Sequence, residues 1–213
     1  LIVSWMGDDM RCGDCTIRPK LERKTQDGLN QPWQVSGLNR ASATVMPQDG
    51  GGGPVYGGTP SDQSVVEAIR ALNDAGQDVM FYPFILMDQT AGNGRVDPYS
   101  DAADQPVLPW RGRITTSKAP GQAGSPDGSA QARSDVSAFF GTASASDFSV
   151  LGASIQAPTA GASFDPFTFG GSVLISPVQY AGPDEWGYRR FILHQAALCL
   201  AAGGVESFCI GSE

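Results

Sequence analysis

The chain has little charge, little histidine and no long apolar run. Charged residues make up 17% of its 213 positions, with 14 Lys and Arg against 22 Asp and Glu and a formal net charge of −8. An extended nucleic-acid-binding surface is therefore not expected, because counterion release requires clustered cations. No stretch approaches the ~20 apolar residues of a membrane-spanning helix. A single histidine and four cysteines leave few ligands for a transition metal. Cys12-Gly13-Asp14-Cys15 is a lone CxxC, and a tetrahedral zinc site would need two more ligands. The remaining candidates, Cys199, Cys209 and His194, read as core residues. Neither a metal nor a cofactor is called for. No motif recurs at a fixed period, which argues against a repeat architecture.

What the chain does have is loop chemistry around a core. There are 27 glycines and 15 prolines, and 41% of residues are hydrophobic. Aromatic residues and clean apolar runs exclude disorder throughout. The chain opens with the strand-like Leu1-Ile2-Val3-Ser4-Trp5-Met6 and closes with Phe208-Cys209-Ile210-Gly211-Ser212-Glu213. Both ends read as core strands, and the expectation is an internal piece of a longer soluble protein.

Between the ends, two αβ units stand out. Ser61 or Asp62 caps a helix with Val65, Ile69 and Leu72 on one face and Gly76 as its stop. A continuous apolar strand follows over residues 79–86, with Pro83 awkward unless it falls at a bulge or strand end. The second helix covers residues 186–202, ends at Gly203-Gly204, and leads to a strand over residues 205–210. Residues 115–135 carry no large apolar side chain and are expected at the surface or mobile. Val136, Phe139 and Phe140 anchor a short helix closed by Gly141. Residues 142–183 read as an inserted loop region with a hairpin or two standing off the main body. Such β-prone pieces lie at 148–151, 173–175 and 178–180. Three or four core strands and two αβ units predict an α/β fold, a partial (β/α)8 barrel, since a complete one needs roughly 250 residues.

Several ordered strings carry a resemblance. They are Tyr56-Gly57-Gly58-Thr59-Pro60-Ser61-Asp62, Phe81-Tyr82-Pro83-Phe84-Ile85-Leu86-Met87-Asp88, Pro109-Trp110-Arg111-Gly112-Arg113-Ile114, Glu185-Trp186-Gly187-Tyr188-Arg189-Arg190-Phe191-Ile192-Leu193-His194, Gly203-Gly204-Val205 and Ile210-Gly211-Ser212-Glu213. Together with Ser4-Trp5-Met6-Gly7-Asp8-Asp9-Met10-Arg11, they resemble the glycoside-hydrolase-like TIM-barrel domain of the tail-tip host-specificity protein of gene transfer agents and related siphophages. Cys12, Cys15 and residues 142–175 depart from that pattern. The resemblance implies a virion or virus-like particle with this barrel at its distal tail tip, inside a longer polypeptide. It implies contact with other baseplate proteins and with host envelope glycan, and a homotrimeric hub.

Glycosidase chemistry sets the candidate residues. Retaining enzymes use two carboxyl groups about 5–5.5 Å apart, and barrels carry catalytic groups at strand C-termini. Glu213 ends its strand where the barrels it resembles carry their acid/base Glu, after the fourth strand. It is equally read as a carboxyl bonded to backbone at the barrel mouth. A partner nucleophile is expected on a later strand outside this chain. Asp88, Asp8 and Asp9 end strands too and either touch substrate or cap loops. Trp5, Trp110 and Trp186 offer stacking platforms or packing anchors. Arg111 and Arg113 engage anionic sugars or pair with the abundant acids. A disulfide between Cys12 and Cys15 is open to an extracellular particle. The expected function is host contact by a tail-tip protein. An active retaining hydrolase is the alternative, and a free bacterial glycosidase a more distant one.

Overall fold

The structure, a computed structural model, describes residues 1–25, 32–151 and 176–211. Strand β1 (Ile2–Gly7) lies at the centre of the chain's first half, and β2 (Ile17–Arg18) returns antiparallel to it, with Met6 opposite Arg18. A small hairpin follows, formed by β3 (Gln34–Val35) and β4 (Leu38–Asn39). Ser36 and Gly37 both take positive φ, 49° and 85°, the conformation whose twist suits a two-residue hairpin. Trp33 and Val35 anchor this region in the core.

Helix α1 (Asp62–Asp74) starts as its sequence predicts. The Ser61 side chain accepts the Ser64 N–H at 3.2 Å, which satisfies one of the unpaired donors of the first turn. Val65, Val66 and Ile69 are buried, while Leu72 is exposed, so the buried stripe is narrower at its end than the spacing predicts. Strand β5 (Met80–Met87) then runs parallel to β1, from Ile2 opposite Tyr82 to Gly7 opposite Met87. Its burial alternates instead of being continuous: Phe81, Pro83, Ile85 and Met87 are buried, and Tyr82, Phe84 and Leu86 are half-buried. Phe81 packs with Val65 and Ile69 of α1 and with Leu198 of the later helix α3 (Tyr188–Ala201).

Pro83 fits because of strand polarity. The Tyr82 N–H donates to Leu1 O, and the Asp88 N–H donates to Gly7 O. Even-numbered residues of β5 therefore serve the β1 ladder, and Pro83 turns its missing donor to the opposite side. There the last strand, β8 (Ser207–Phe208), pairs only with Met80 and Phe81. The ring removes no bond that the ladder needs.

Helix α2 (Ala130–Phe140) begins well before its apolar residues, of which Phe139 packs against the core while Val136 and Phe140 are exposed, and Gly141 closes it with φ 72°. Strands β6 (Phe148–Val150) and β7 (Val178–Tyr180) pair antiparallel. This pair does not stand off the body. Val178 is fully buried, and Phe148 packs on the cluster formed by Val3, Ile69, Phe81 and Leu198. The expected piece at 173–175 lies outside the described residues. Helix α3 (Tyr188–Ala201) leads through Gly203 and Gly204, at φ 102° and 111°, into β8. The described main sheet has the order β2-β1-β5-β8, with β1, β5 and β8 parallel and α1 and α3 bridging them.

A buried polar knot holds the two crossover helices together. Asp62, 1% exposed, accepts the Ser36 N–H at 3.1 Å and the Ser176 hydroxyl at 2.6 Å through Oδ2. Its Oδ1 lies 2.8 Å from His194 Nε2. Arg190 donates to Ser36 O at 2.9 Å and to Glu185 O at 2.9 Å, and its guanidinium stacks on Trp186. Burial pulls Arg190 down to about 10. Buried donors left without acceptors cost about 1–3 kcal/mol each. Asp62→Ala is thus expected to destabilise the fold by about 3 kcal/mol, read as a lower denaturant midpoint with an unchanged slope. A midpoint within error of wild type would refute this role.

Candidate functional site

The C-terminal edge of the parallel strands brings the acids together. β1 delivers Asp8 and Asp9, β5 delivers Asp88 and Gln89, and the register of Gly7 with Met87 puts Asp8 beside Asp88. Asp88 is buried, and Lys20 Nζ donates to it at 2.5 Å. Burial pushes the Asp88 carboxyl up, Lys20 opposes that, and neighbouring Asp8 adds to the rise. Asp88 is therefore an ion-paired buried group. Tyr56, nearby, is also pushed up, by burial first and then by the Asp88 charge.

Asp9 is the best-held acid of the edge. It accepts the Arg11 backbone N–H at 2.8 Å, Arg11 Nε at 3.0 Å and Nη2 at 2.7 Å. Gln105 Nε2 adds a bond of 2.7 Å, and Arg95 Nε approaches to 3.4 Å. Burial alone would raise this carboxyl, but the Arg11 and Gln105 bonds outweigh it and hold it below the usual range. Gln105 also accepts the Met10 N–H at 2.9 Å and the Gln89 amide at 3.1 Å. One amide thus clamps the loops after β1 and β5. Nothing in the sequence marks Gln105, whose role depends on partners 16 to 96 positions away.

Beside this edge, where β8 stops along β5, lies a cavity of about 520 Å³. Tyr82, Arg111, Ile114, Phe139, Phe140 and Tyr188 form much of its wall. The Arg111 guanidinium sits 3.7 Å above the Phe84 ring, and its Nη2 donates to the Tyr82 hydroxyl at 3.1 Å. Trp110 is 56% exposed, and its ring lies against Gly112. A Cβ at Gly112 would stand 2.5 Å from that ring, so glycine is what lets the indole settle there. The Tyr188 hydroxyl donates to Ile210 O, fixing the chain that leaves β8.

The candidate residues separate on these facts. Arg111 lines the cavity, Trp110 lies against Gly112 of its wall, and Asp88, Asp8 and Asp9 gather at the strand edge. Trp5 is corrected: it is 0% exposed and packs against Trp186, Phe191 and His194, so it offers no face to a sugar. Trp186 is buried, and Arg113 stacks 4.4 Å from the Tyr99 ring. Cys12 and Cys15 are buried free thiols, and burial pushes Cys15 up to about 12. Cys199 is likewise raised to about 12 by burial. Among the described residues, no cluster of three or more His, Cys, Asp or Glu is placed to hold a metal ion. Glu213 and Ser212 lie outside the described residues. The strand that leads to Glu213 is the third parallel strand of the described sheet, where the sequence predicts a fourth. The extended pieces at 148–151 and 178–180 form the separate two-stranded sheet and add nothing to this count.

Residues 186–213 match the family model described as the GTA TIM-barrel-like domain. This stretch, from Trp186 through α3 and β8 to Glu213, is similar to a gene transfer agent TIM-barrel-like domain. No curated protein matches the chain.

The Asp9 cluster carries a pH signature. A carboxyl whose folded pKa is lowered stabilises the fold above its unfolded pKa, ~3.9, and loses that contribution as pH falls through the folded value. Wild type is expected to exceed Asp9→Asn in stability at pH 7. The difference should shrink as pH drops below about 4. Parallel denaturation curves from pH 7 to pH 2 check this; a pH-independent difference would contradict it.

Proposed function

We propose that this chain is part of a tail-tip, baseplate-hub protein of a gene transfer agent or phage-like particle, and that its glycoside-hydrolase-like barrel meets host envelope glycan. The observation that carries the reading is the match of residues 186–213 to the GTA TIM-barrel-like domain. The parallel strands β1, β5 and β8 bridged by α1 and α3 fit the first part of a (β/α)8 barrel. Long loops at the strand C-termini supply a contact surface, as barrel mouths do. Neighbouring baseplate proteins and a threefold hub are the assembly partners this reading calls for.

Binding is favoured over hydrolysis. Asp9 and Asp88 are each held by a cation, and a held carboxylate is a poor proton shuttle. Hydrolysis by a retaining mechanism rests on Glu213, which the matched segment includes.

Two experiments test these readings. Electron microscopy of particles carrying a labelled copy of the full-length protein should place the label at the distal tail end; label on the capsid or absent from particles would sink the assignment. Purified host envelope glycan incubated with the full-length protein should be retained without sugar release. Release that disappears in Glu213→Gln would favour the hydrolase instead.

A further inference from the structure

We infer that Trp110 is a stacking platform for a neutral pyranose whose hydroxyls are equatorial and whose C–H face is unbroken, with Gly112 as the residue that sets the platform. The inference rests on the glycan-contact reading and narrows it to one surface and one class of sugar.

The four tryptophans divide by exposure. Trp5, Trp33 and Trp186 belong to one core cluster, at 0%, 6% and 8% exposure, whereas Trp110 is 56% exposed. An indole left in water forgoes a large apolar burial, and a ligand that covers it recovers that free energy.

The Trp110 ring is seated face-on. A Cβ placed on Gly112 would lie 2.5, 2.6 and 2.7 Å from Cη2, Cζ2 and Cζ3 of that ring. Near-equal distances to three consecutive ring atoms put the point over the ring face, since an edge-on approach would single out one atom or two. Gly112 thus backs one face of the indole and leaves the other to solvent. A flat, one-sided aromatic surface suits the C–H face of a pyranose, and the indole N–H offers a donor to a sugar hydroxyl.

The loop that carries the ring is held in place. Leu108, at φ 45°, donates its N–H to Gln89 O at 2.9 Å, and the Arg113 N–H donates to Trp110 O at 3.0 Å. A bulky residue in the left-handed region costs free energy and persists only where its surroundings fix it. Pro109, between Leu108 and Trp110, locks a further torsion. Ordering the platform in advance lowers the entropic cost of binding.

Charge favours a neutral ligand. The Arg111 and Arg113 guanidiniums beside the platform lie over the Phe84 and Tyr99 rings. The indole itself is uncharged, and the chain's net charge of −8 disfavours a polyanionic glycan.

Because the other three tryptophans are buried, acrylamide quenching of the 213-residue chain reads mainly Trp110. The probes are cellohexaose and chitohexaose, both β-1,4-linked and neutral, with calorimetry as the second readout. Saturating sugar is expected to protect the quenchable signal of wild type. Trp110→Ala should remove most of that signal and weaken sugar binding about tenfold, and Trp110→Phe should recover part of the affinity. Gly112 has no positive φ, so Gly112→Ala suits the backbone; its methyl should displace the ring, weakening binding while Trp110 stays quenchable. Emission from the buried tryptophans checks that each variant is folded. Wild-type affinity in Trp110→Ala or in Gly112→Ala would overturn the inference and leave glycan contact standing. So would failure of the wild-type chain to bind either probe while it retains host envelope glycan. Failure to bind the probes and the envelope glycan alike would overturn the glycan-contact reading with it. Sugar bound by wild type without protection of Trp110 would also overturn the inference, whether or not a variant folds.

Discussion

The fold turns on the buried carboxyl of Asp62. It sits in the first turn of α1, yet its partners are the hairpin turn at Ser36, the segment entering β7 at Ser176, and His194 in the middle of α3. Both crossover helices lie against the same sheet, and helices on an apolar surface can slide without large loss of buried area. Directional bonds remove that freedom, because a shift of one residue would strand buried donors. Arg190 extends the same constraint, reaching Ser36 and Glu185 while stacking on Trp186. The position of α3 in turn decides where β8 meets β5, and so where the cavity begins.

The strand edge and the cavity answer different electrostatic problems. At the edge, parallel strands deliver Asp8, Asp9 and Asp88 into a small space, where like charges repel and burial penalises each. Lys20, Arg11 and Arg95 neutralise them locally. That pairing makes the edge a rigid support. The cavity is walled differently, with aromatic side chains and the Arg111 guanidinium stacked on Phe84.

Legibility followed the range of the interactions. Ser61 as a cap, Gly76 and Gly141 as helix stops, and the Gly203-Gly204 turn depend on neighbours within a few residues, and periodicity and capping rules read them directly. The β6–β7 pair was visible as β-prone pieces, yet its burial against Leu198 and Phe81 was not, since nothing local tells a docked hairpin from a free one. Burial of Trp5 was equally hidden. A tryptophan in a strand suits a sugar platform or a core, and only the α3 aromatics packed on it decide between them. Gln105 left no trace at all.

The sequence by itself determined the local grammar: which segments form α1, α2, α3 and the central strands, where they stop, and the acidic, glycine-rich composition. Hydrophobic period and capping act over one or two turns, so the chain carries that information in order. Tertiary structure alone decided that Asp88 is tied to Lys20, that Asp9 is gripped from both sides, and that Arg111 borders a cavity with Tyr82 and Tyr188. Those outcomes depend on groups tens of residues apart being placed within a few ångströms. Burial and charge pairing are properties of that placement, and no spacing along the chain encodes them.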